Sequence, residues 1–285
     1  MVEILNGKEL ARQIRAEIAN DLAKLGKKPG LAVILVGEDP GSKVYVNSKE
    51  KAAKEIGINS IIHRLPAATK KQELVALIHR LNIDQSINGI LVQLPLPGEL
   101  HKEENDILEE ITPKKDADGL HPVNMGKLIL GQEPYAYSCT PAGIMEMLRS
   151  AKIEIKGKNA VVIGRSNIVG KPIAQLLMRE HATVTTCHSR TKDIKFFTKA
   201  ADIIVVAIGK PKFLTKDMVK EGAVVIDVGM NRLETGLAGD VDFENVKDLC
   251  SFITPVPGGV GPMTIAMLMK NCFEAFKRAE IELSF

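Results

Sequence analysis

The run Val161-Val162-Ile163-Gly164-Arg165-Ser166-Asn167-Ile168-Val169-Gly170-Lys171-Pro172 constrains the fold of this chain more than any other stretch. An apolar strand stops at a glycine and the chain turns tightly. A second glycine and a proline then open a helix whose free backbone N–H groups can hold a phosphate. Pro172 suits a first helical turn, where its missing N–H costs nothing. The next strand, Thr183-Val184-Thr185-Thr186-Cys187, arrives at the spacing a strand–helix–strand unit requires. These features together read as the front end of a dinucleotide site. The triphosphate alternative, G-x-x-x-x-G-K-[ST], fails because the loop is one residue too long and Pro172 stands where the magnesium-ligating hydroxyl belongs. Against G-x-G-x-x-G the loop has Ser166 in place of the second glycine, so the strand and helix around it carry the reading.

The end of the second strand says which dinucleotide. A site for NAD places Asp or Glu about 20 residues beyond the glycines, to bind the ribose 2′-hydroxyl. Here the strand ends in Cys187-His188-Ser189-Arg190, with no carboxylate. Arg165, Ser189 and Arg190 instead suit a 2′-phosphate, which an acidic residue would repel. The expected cofactor is NADP.

Composition excludes several function classes. A net charge of +3 on 285 residues gives no reason to expect a nucleic-acid partner. The longest apolar runs, Leu31 to Val36 and Ile203 to Ile208, are strand-length, far below the roughly 18 residues of a membrane span. The start Met1-Val2-Glu3-Ile4-Leu5-Asn6 has no signal pattern, so the expectation is a cytoplasmic chain without a membrane partner. Cys139, Cys187, Cys250 and Cys272 form no C-x-x-C pair, and no two histidines stand at H-x-x-x-H spacing. The carboxylates of Asp240-Val241-Asp242-Phe243-Glu244 start like a calcium loop, but Asn245 replaces its glycine and Ser251 its final Glu. No metal is expected.

Periodicity divides the chain into two α/β halves. In the first, strands Leu31–Val36, Ile61–Leu65 and Gly89–Leu94 alternate with helical patterns. One helix runs over Lys8–Leu25, and another over Thr69–Leu81 with a Thr69/Gln72 capping box. Repeated strand–helix–strand units imply a parallel sheet. The second half opens at a Thr140-Pro141 helix start and carries five strands, near Ala160–Ile163, Thr183–Cys187, Ile203–Ala207, Val224–Val228 and Phe252–Thr254. The expected fold is two α/β domains, the second a Rossmann-type parallel sheet, with an active-site cleft between them. The expected boundaries are 1–139 for the catalytic domain, 140–268 for the nucleotide domain and 269–285 for a C-terminal helix packing back on the first.

The first domain offers polar groups for such a cleft. A helix from Ser42 puts Ser42, Tyr45 and Lys49 on one face, with Tyr45 and Lys49 one turn apart. The later strand ends at Val92-Gln93-Leu94-Pro95, which puts Gln93 at the carboxyl edge where open α/β sheets bind ligands. Asp118 lies in the loop Lys115-Asp116-Ala117-Asp118-Gly119. Taken singly each is ordinary: a lone helical lysine is usually a solvated surface group. Their joint placement raises the reading.

At this point the chain closely resembles a known family. Five segments carry the likeness: Val36-Gly37-x4-Ser42-x2-Tyr45-Val46-x2-Lys49, Leu91-Val92-Gln93-Leu94-Pro95-Leu96-Pro97, Lys115–Gly119, Gly164-Arg165-Ser166 to Gly170, and Thr254-Pro255-Val256-Pro257-Gly258-Gly259-Val260-Gly261-Pro262-Met263-Thr264. Together they resemble the bifunctional methylenetetrahydrofolate dehydrogenase/methenyltetrahydrofolate cyclohydrolase (FolD) family along nearly the whole length. Departures are small, with Ile208 where some relatives carry Thr and Met230 where Ile is common.

The resemblance implies NADP-dependent oxidation of 5,10-methylenetetrahydrofolate and hydrolysis of the methenyl product to 10-formyltetrahydrofolate, by a homodimer. In the first step a folate nitrogen lone pair stabilises the cation left by hydride transfer, so positioning suffices. In the second, water must lose a proton as it attacks. A lysine beside the methenyl cation has its charged form disfavoured, which frees a lone pair to take that proton. The resemblance assigns this role to Lys49, with Gln93 hydrogen-bonded to it, Tyr45 stacking on the folate and Asp118 anchoring the pterin. It places Pro257, Gly258 and Gly259 along the substrate. It places Gly164, Arg165, Ser166, Ile168, Ser189, Arg190, Ile208, Gly209 and Met230 around the cofactor. Two rivals stand beside it. A shikimate-dehydrogenase-like oxidoreductase would pair the lysine with a carboxylate and lack the Pro-Gly-Gly loop, and a non-catalytic NADP-binding sensor would leave Lys49, Gln93 and Asp118 without a role.

Overall fold

A computed structural model of the chain describes residues 2–234 and 236–282. Its strands are β1 (Glu3–Ile4), β2 (Gly30–Val36), β3 (Asn59–Leu65), β4 (Gly89–Val92), β5 (Asn159–Ile163), β6 (Thr183–Cys187), β7 (Ile203–Val206), β8 (Val224–Asp227), β9 (Asn231–Leu233), β10 (Gly236–Ala238) and β11 (Phe252–Ile253). The chain divides into two compact α/β units. One takes the chain up to Ala11 together with Thr140–Thr264, and the other takes Arg12–Cys139 together with the chain from Ile265 on.

The unit holding Lys49 has a parallel three-stranded sheet in the order β3-β2-β4. β2 is buried along its whole length, which is why its sequence is an unbroken apolar run rather than an alternation. Helix Lys71–Ile83 lays Leu74, Leu77, Ile78 and Leu81 on that sheet, against Ile34, Val36, Ile90 and Val92. Its N-terminus departs from the Thr69/Gln72 expectation. The Thr69 hydroxyl donates to the Pro66 carbonyl at 2.7 Å, and the capping contact is made instead by the Glu73 carboxylate, which accepts the Lys70 N–H. Thr69 is engaged by the preceding turn, so the helix starts later.

Helix Pro40–Ile56 opens with Asp39, whose carboxylate accepts the Ser42 N–H at 2.7 Å, and it closes on Gly57 at φ 87°. The long final helix, Val260–Glu282, lies with this unit from Ile265 onward. Asn271 Nδ2 donates to the carbonyls of Ala117 and Tyr137 at 2.9 and 2.8 Å, and Arg278 donates to the Tyr135 carbonyl.

The other unit is a parallel six-stranded sheet in the order β1-β11-β8-β7-β5-β6, where five strands were expected. The sixth is β1, which pairs with β11 in register Glu3↔Phe252. Two residues at the chain start carry no periodicity, so no sequence pattern announces this strand. Val161, Ile163, Ile204, Val206, Val225 and Ile253 form the core. A short antiparallel hairpin, β9–β10, follows β8. No described helix is long and apolar enough to cross a membrane.

Candidate functional site

In the unit holding Lys49, the helix Pro40–Ile56 and the carboxyl end of β4 bring two polar side chains together. Lys49 is only 6 % exposed, and its Nζ donates to Gln93 Oε1 at 3.0 Å. Gln93 is fixed on both sides: its own N–H bonds to the Ile34 carbonyl, and its side-chain Nε2 donates to the Leu94 carbonyl at 2.7 Å. With the amide nitrogen committed, the amide oxygen faces the lysine. Tyr45 stands one helical turn before Lys49, half-buried.

Asp118 reaches the same neighbourhood through the loop that runs beside β4. Asp116 bridges Ile90 in parallel, and the Ala117 N–H bonds to the Ile90 carbonyl. Asp116 itself is a buried support. Its carboxylate accepts the N–H groups of Gly119 and His121 and the Asn124 amide, at 3.1, 2.8 and 2.8 Å. Burial pushes its pKa up, against the pull of the His121 and Asn124 donors. The Cys139 thiol donates to the Ala117 carbonyl, and the Cys139 N–H to the Asp118 carbonyl. Burial, and next the Asp118 charge, hold that thiol far above its ordinary range, while Lys49 pulls the other way. Asp118 and Lys49 thus act on this one buried thiol with opposite sign. Asp116, Asn124, Cys139 and Asn271 escaped sequence reasoning. Asp116 sat inside the quoted segment 115–119, but nothing distinguished a loop-fastening carboxylate from a ligand-facing one.

In the other unit, β5 feeds the glycine turn. Gly164 has φ 129°, and a Cβ there would overlap the Ala207 carbonyl; one at Gly170 would overlap the Gly164 carbonyl. Both glycines are needed for the chain to pass. The Ser166 hydroxyl accepts the N–H groups of Val169 and Gly170 at 3.1 and 3.3 Å, shaping the entry to helix Gly170–Arg179. From β5 the strand order runs one way to β6 and the other to β7 and β8, so the reversal lies at the carboxyl ends of β5 and β7. Open α/β sheets bind their ligands at such a reversal. Arg165 and Ser166 lie exposed there, as do Ser189 and Arg190 past the end of β6. Ile168 and Met230 are 44 % and 43 % exposed, much for apolar side chains.

Ile208 and Gly209 follow β7 and are held by Asp240, which the sequence offered only as the start of a rejected calcium loop. Asp240 Oδ2 accepts both their N–H groups, at 2.8 and 2.9 Å. Asp227 in turn accepts the N–H groups of Gly229, Asp240 and Val241, each at 2.9 Å, and burial raises its pKa to about 6. Pro257, Gly258 and Gly259 belong to this unit, in the loop entering the final helix. The Lys8 N–H bonds to the Gly258 carbonyl, and a Cβ at Gly7 would overlap the Gly259 carbonyl.

This geometry fits a dinucleotide: a turn closed by two glycines without room for a Cβ, a helix start, and cations with no opposing carboxylate at the end of β6. Two family models match. The tetrahydrofolate dehydrogenase/cyclohydrolase catalytic domain covers residues 5–118, and the NAD(P)-binding domain of the same family covers 138–280. The chain is 56 % identical over 280 residues to the bifunctional protein FolD of Bacillus cytotoxicus, covering 97 % of each. It matches the crystal structure of the FolD dehydrogenase/cyclohydrolase from Campylobacter jejuni at 50 % identity and a TM-score of 0.94, over 98 % of this chain and 100 % of that one. The Trypanosoma brucei dehydrogenase-cyclohydrolase, solved with NADP and an inhibitor, matches at 40 % identity and a TM-score of 0.93, over 98 % of each chain. With paired domain models spanning most of its length and full-length relatives above half identity, the chain belongs to the tetrahydrofolate dehydrogenase/cyclohydrolase family.

Proposed function

We propose that this protein oxidises 5,10-methylenetetrahydrofolate with NADP and hydrolyses the resulting 5,10-methenyltetrahydrofolate to 10-formyltetrahydrofolate, acting as a cytoplasmic homodimer. The observation that carries the reading is the buried Lys49–Gln93 hydrogen bond, with the segment before Asp118 running beside β4, the strand that leads into Gln93. Bound NADP supplies the hydride acceptor for the first reaction.

The glycine turn and the N-terminus of helix Gly170–Arg179 hold the pyrophosphate in this reading, and Arg165, Ser189 and Arg190 meet the 2′-phosphate. Ile168, Ile208, Gly209 and Met230 flank the coenzyme. Asp118 accepts paired hydrogen bonds from the pterin, Tyr45 lies against the folate ring, and Pro257, Gly258 and Gly259 line the substrate.

Lys49 serves the hydrolytic step. Water attacks the methenyl carbon and gives a proton to the Lys49 amine, which Gln93 keeps aimed; the bond from that carbon to N5 then breaks, N5 takes up the proton, and the formyl group stays on N10. The partner of Lys49 is an amide oxygen, not the carboxylate expected of a shikimate-dehydrogenase-like enzyme.

The test is spectrophotometric. NADP reduction with methylenetetrahydrofolate, and the decay of methenyl absorbance, are followed in the parent and in Lys49→Ala. The reading expects the parent to run both reactions and Lys49→Ala to accumulate the methenyl compound. Hydrolysis left intact in Lys49→Ala overturns the assignment of the base, and a parent inert in both assays overturns the function.

A further inference from the structure

We propose that Asp240 is a positioning residue for dinucleotide binding, its carboxylate setting the shape of the turn at Ile208 and Gly209 against which the coenzyme is held. The inference rests on the proposed reading of those two residues as facing the coenzyme.

The turn sits where the ligand should. β5 and β7 are adjacent and parallel, in register Ile163↔Val206, and the sheet order reverses between them. Ala207 lies directly behind Gly164, where any Cβ on the glycine would strike its carbonyl. Ile208 and Gly209 thus continue from the strand neighbouring the glycine turn, at the same edge of the sheet.

Two successive N–H groups of this turn converge on one oxygen, Asp240 Oδ2. A group accepting both without offering a proton must be a carboxylate or a carbonyl. Asp240 is 0 % exposed, so water does not substitute for it. Its second oxygen accepts Asn231 Nδ2 at 2.9 Å, which orients the carboxylate. Asp227 fastens the Asp240 backbone from behind, and Thr254 Oγ1 accepts the Asp227 N–H at 2.7 Å. Gly229 and Gly239 complete the arrangement: a Cβ on either would overlap the Asp240 or the Asp227 carboxylate. A chain this close-packed around one acceptor transmits its position to Gly209, whose φ of 64° marks a turn with a fixed path.

The test uses Asp240→Asn, whose amide can keep an oxygen on the turn only by setting its nitrogen against Asn231 Nδ2, donor against donor, together with Asn231→Ala, which removes the orienting contact alone. NADPH affinity is read from the fluorescence of the bound coenzyme, and methenyl hydrolysis, which depends on Lys49 in the other unit, is read separately. The expected result for Asp240→Asn is a threefold or greater loss of NADPH affinity, with the hydrolysis rate within twofold of the parent. A smaller loss of affinity, or a parallel fall in hydrolysis, overturns the inference. Should Asp240→Asn not yield folded protein, Asn231→Ala is judged by the same two readouts and the same threshold. A parent that binds NADPH but fails to oxidise methylenetetrahydrofolate sinks the proposed function while leaving the affinity comparison interpretable.

Discussion

Lys49 Nζ lies 3.0 Å from Gln93 Oε1, in a contact that joins a helix to the carboxyl end of a strand across 44 positions of sequence. The amine is nearly sealed from water, so the amide oxygen is its fixed acceptor. Replacing Gln93 by Leu removes that acceptor and leaves the amine unaimed. A hydrogen bond between neutral groups contributes about 0.5–1.5 kcal/mol, so methenyl hydrolysis should slow by roughly 2- to 12-fold. The check is the decay of methenyl absorbance, and a rate within twofold of the parent would show that Gln93 does not support the lysine.

Arg165 is exposed beside the glycine turn, and no carboxylate ends β6. Arg165→Ala should raise KM for NADP by roughly tenfold or more, the effect of one lost charge-assisted contact, and leave KM for NAD within about twofold. Steady-state kinetics with both coenzymes decide it. Equal losses with NAD and NADP would place Arg165 away from the 2′-phosphate.

Gly164→Ala puts a methyl group against the Ala207 carbonyl at a φ of 129°, a conformation that L side chains rarely adopt. The strain should cost on the order of 1–3 kcal/mol and open the dinucleotide turn. NADPH affinity should fall at least tenfold while methenyl hydrolysis persists. Isothermal titration with NADPH measures the first, and unchanged affinity would contradict the role given to the turn.

Asp227 makes stability depend on pH in an unusual direction. Burial raises its pKa from 3.8 to about 6, so the folded state holds this proton where the unfolded chain has released it. The contribution is fully present below pH 4 and is lost as the pH rises through about 6. Its size is on the order of 3 kcal/mol. Asp227→Asn removes the titration, so its melting temperature should fall less than that of the parent between pH 4 and pH 7. Parallel melting curves across that range would show that Asp227 stays ionised.

Asn271 ties two loops to the final helix through one amide nitrogen, bonded to the Ala117 and Tyr137 carbonyls. Asn271→Ala should cost about 1–3 kcal/mol, since two part-buried carbonyls lose a donor. Because Ala117 precedes Asp118, KM for the folate substrate should rise as well. Denaturant unfolding and folate kinetics measure the two effects, and a change in stability alone would separate the staple from the site.

Much of the fold was legible because its signals are local. The βαβ units appear as apolar runs at strand spacing, and the parallel sheets follow from connectivity. The Gly164–Pro172 turn carries its own reason in two glycines and a proline. Tyr45 and Lys49 share a helix face because their separation is one turn. The meeting of Lys49 with Gln93 had no such local signature and came from family resemblance. Thr69 misled because its hydroxyl suits a cap but is taken by the turn before it.

By itself, the sequence determined the class of fold, the dinucleotide turn, the missing acidic residue at the end of β6 and the helix that carries the candidate base. All of these depend on neighbours within a turn or a strand length, where geometry follows from spacing. Tertiary structure alone decided that Glu3–Ile4 completes the sheet beside Phe252–Ile253, that Asn271 ties the loop of Asp118 to the final helix, and that Asp240 shapes the turn at Gly209. Each joins residues that no period connects, and each exists because burial forces polar groups to find partners wherever the chain brings them.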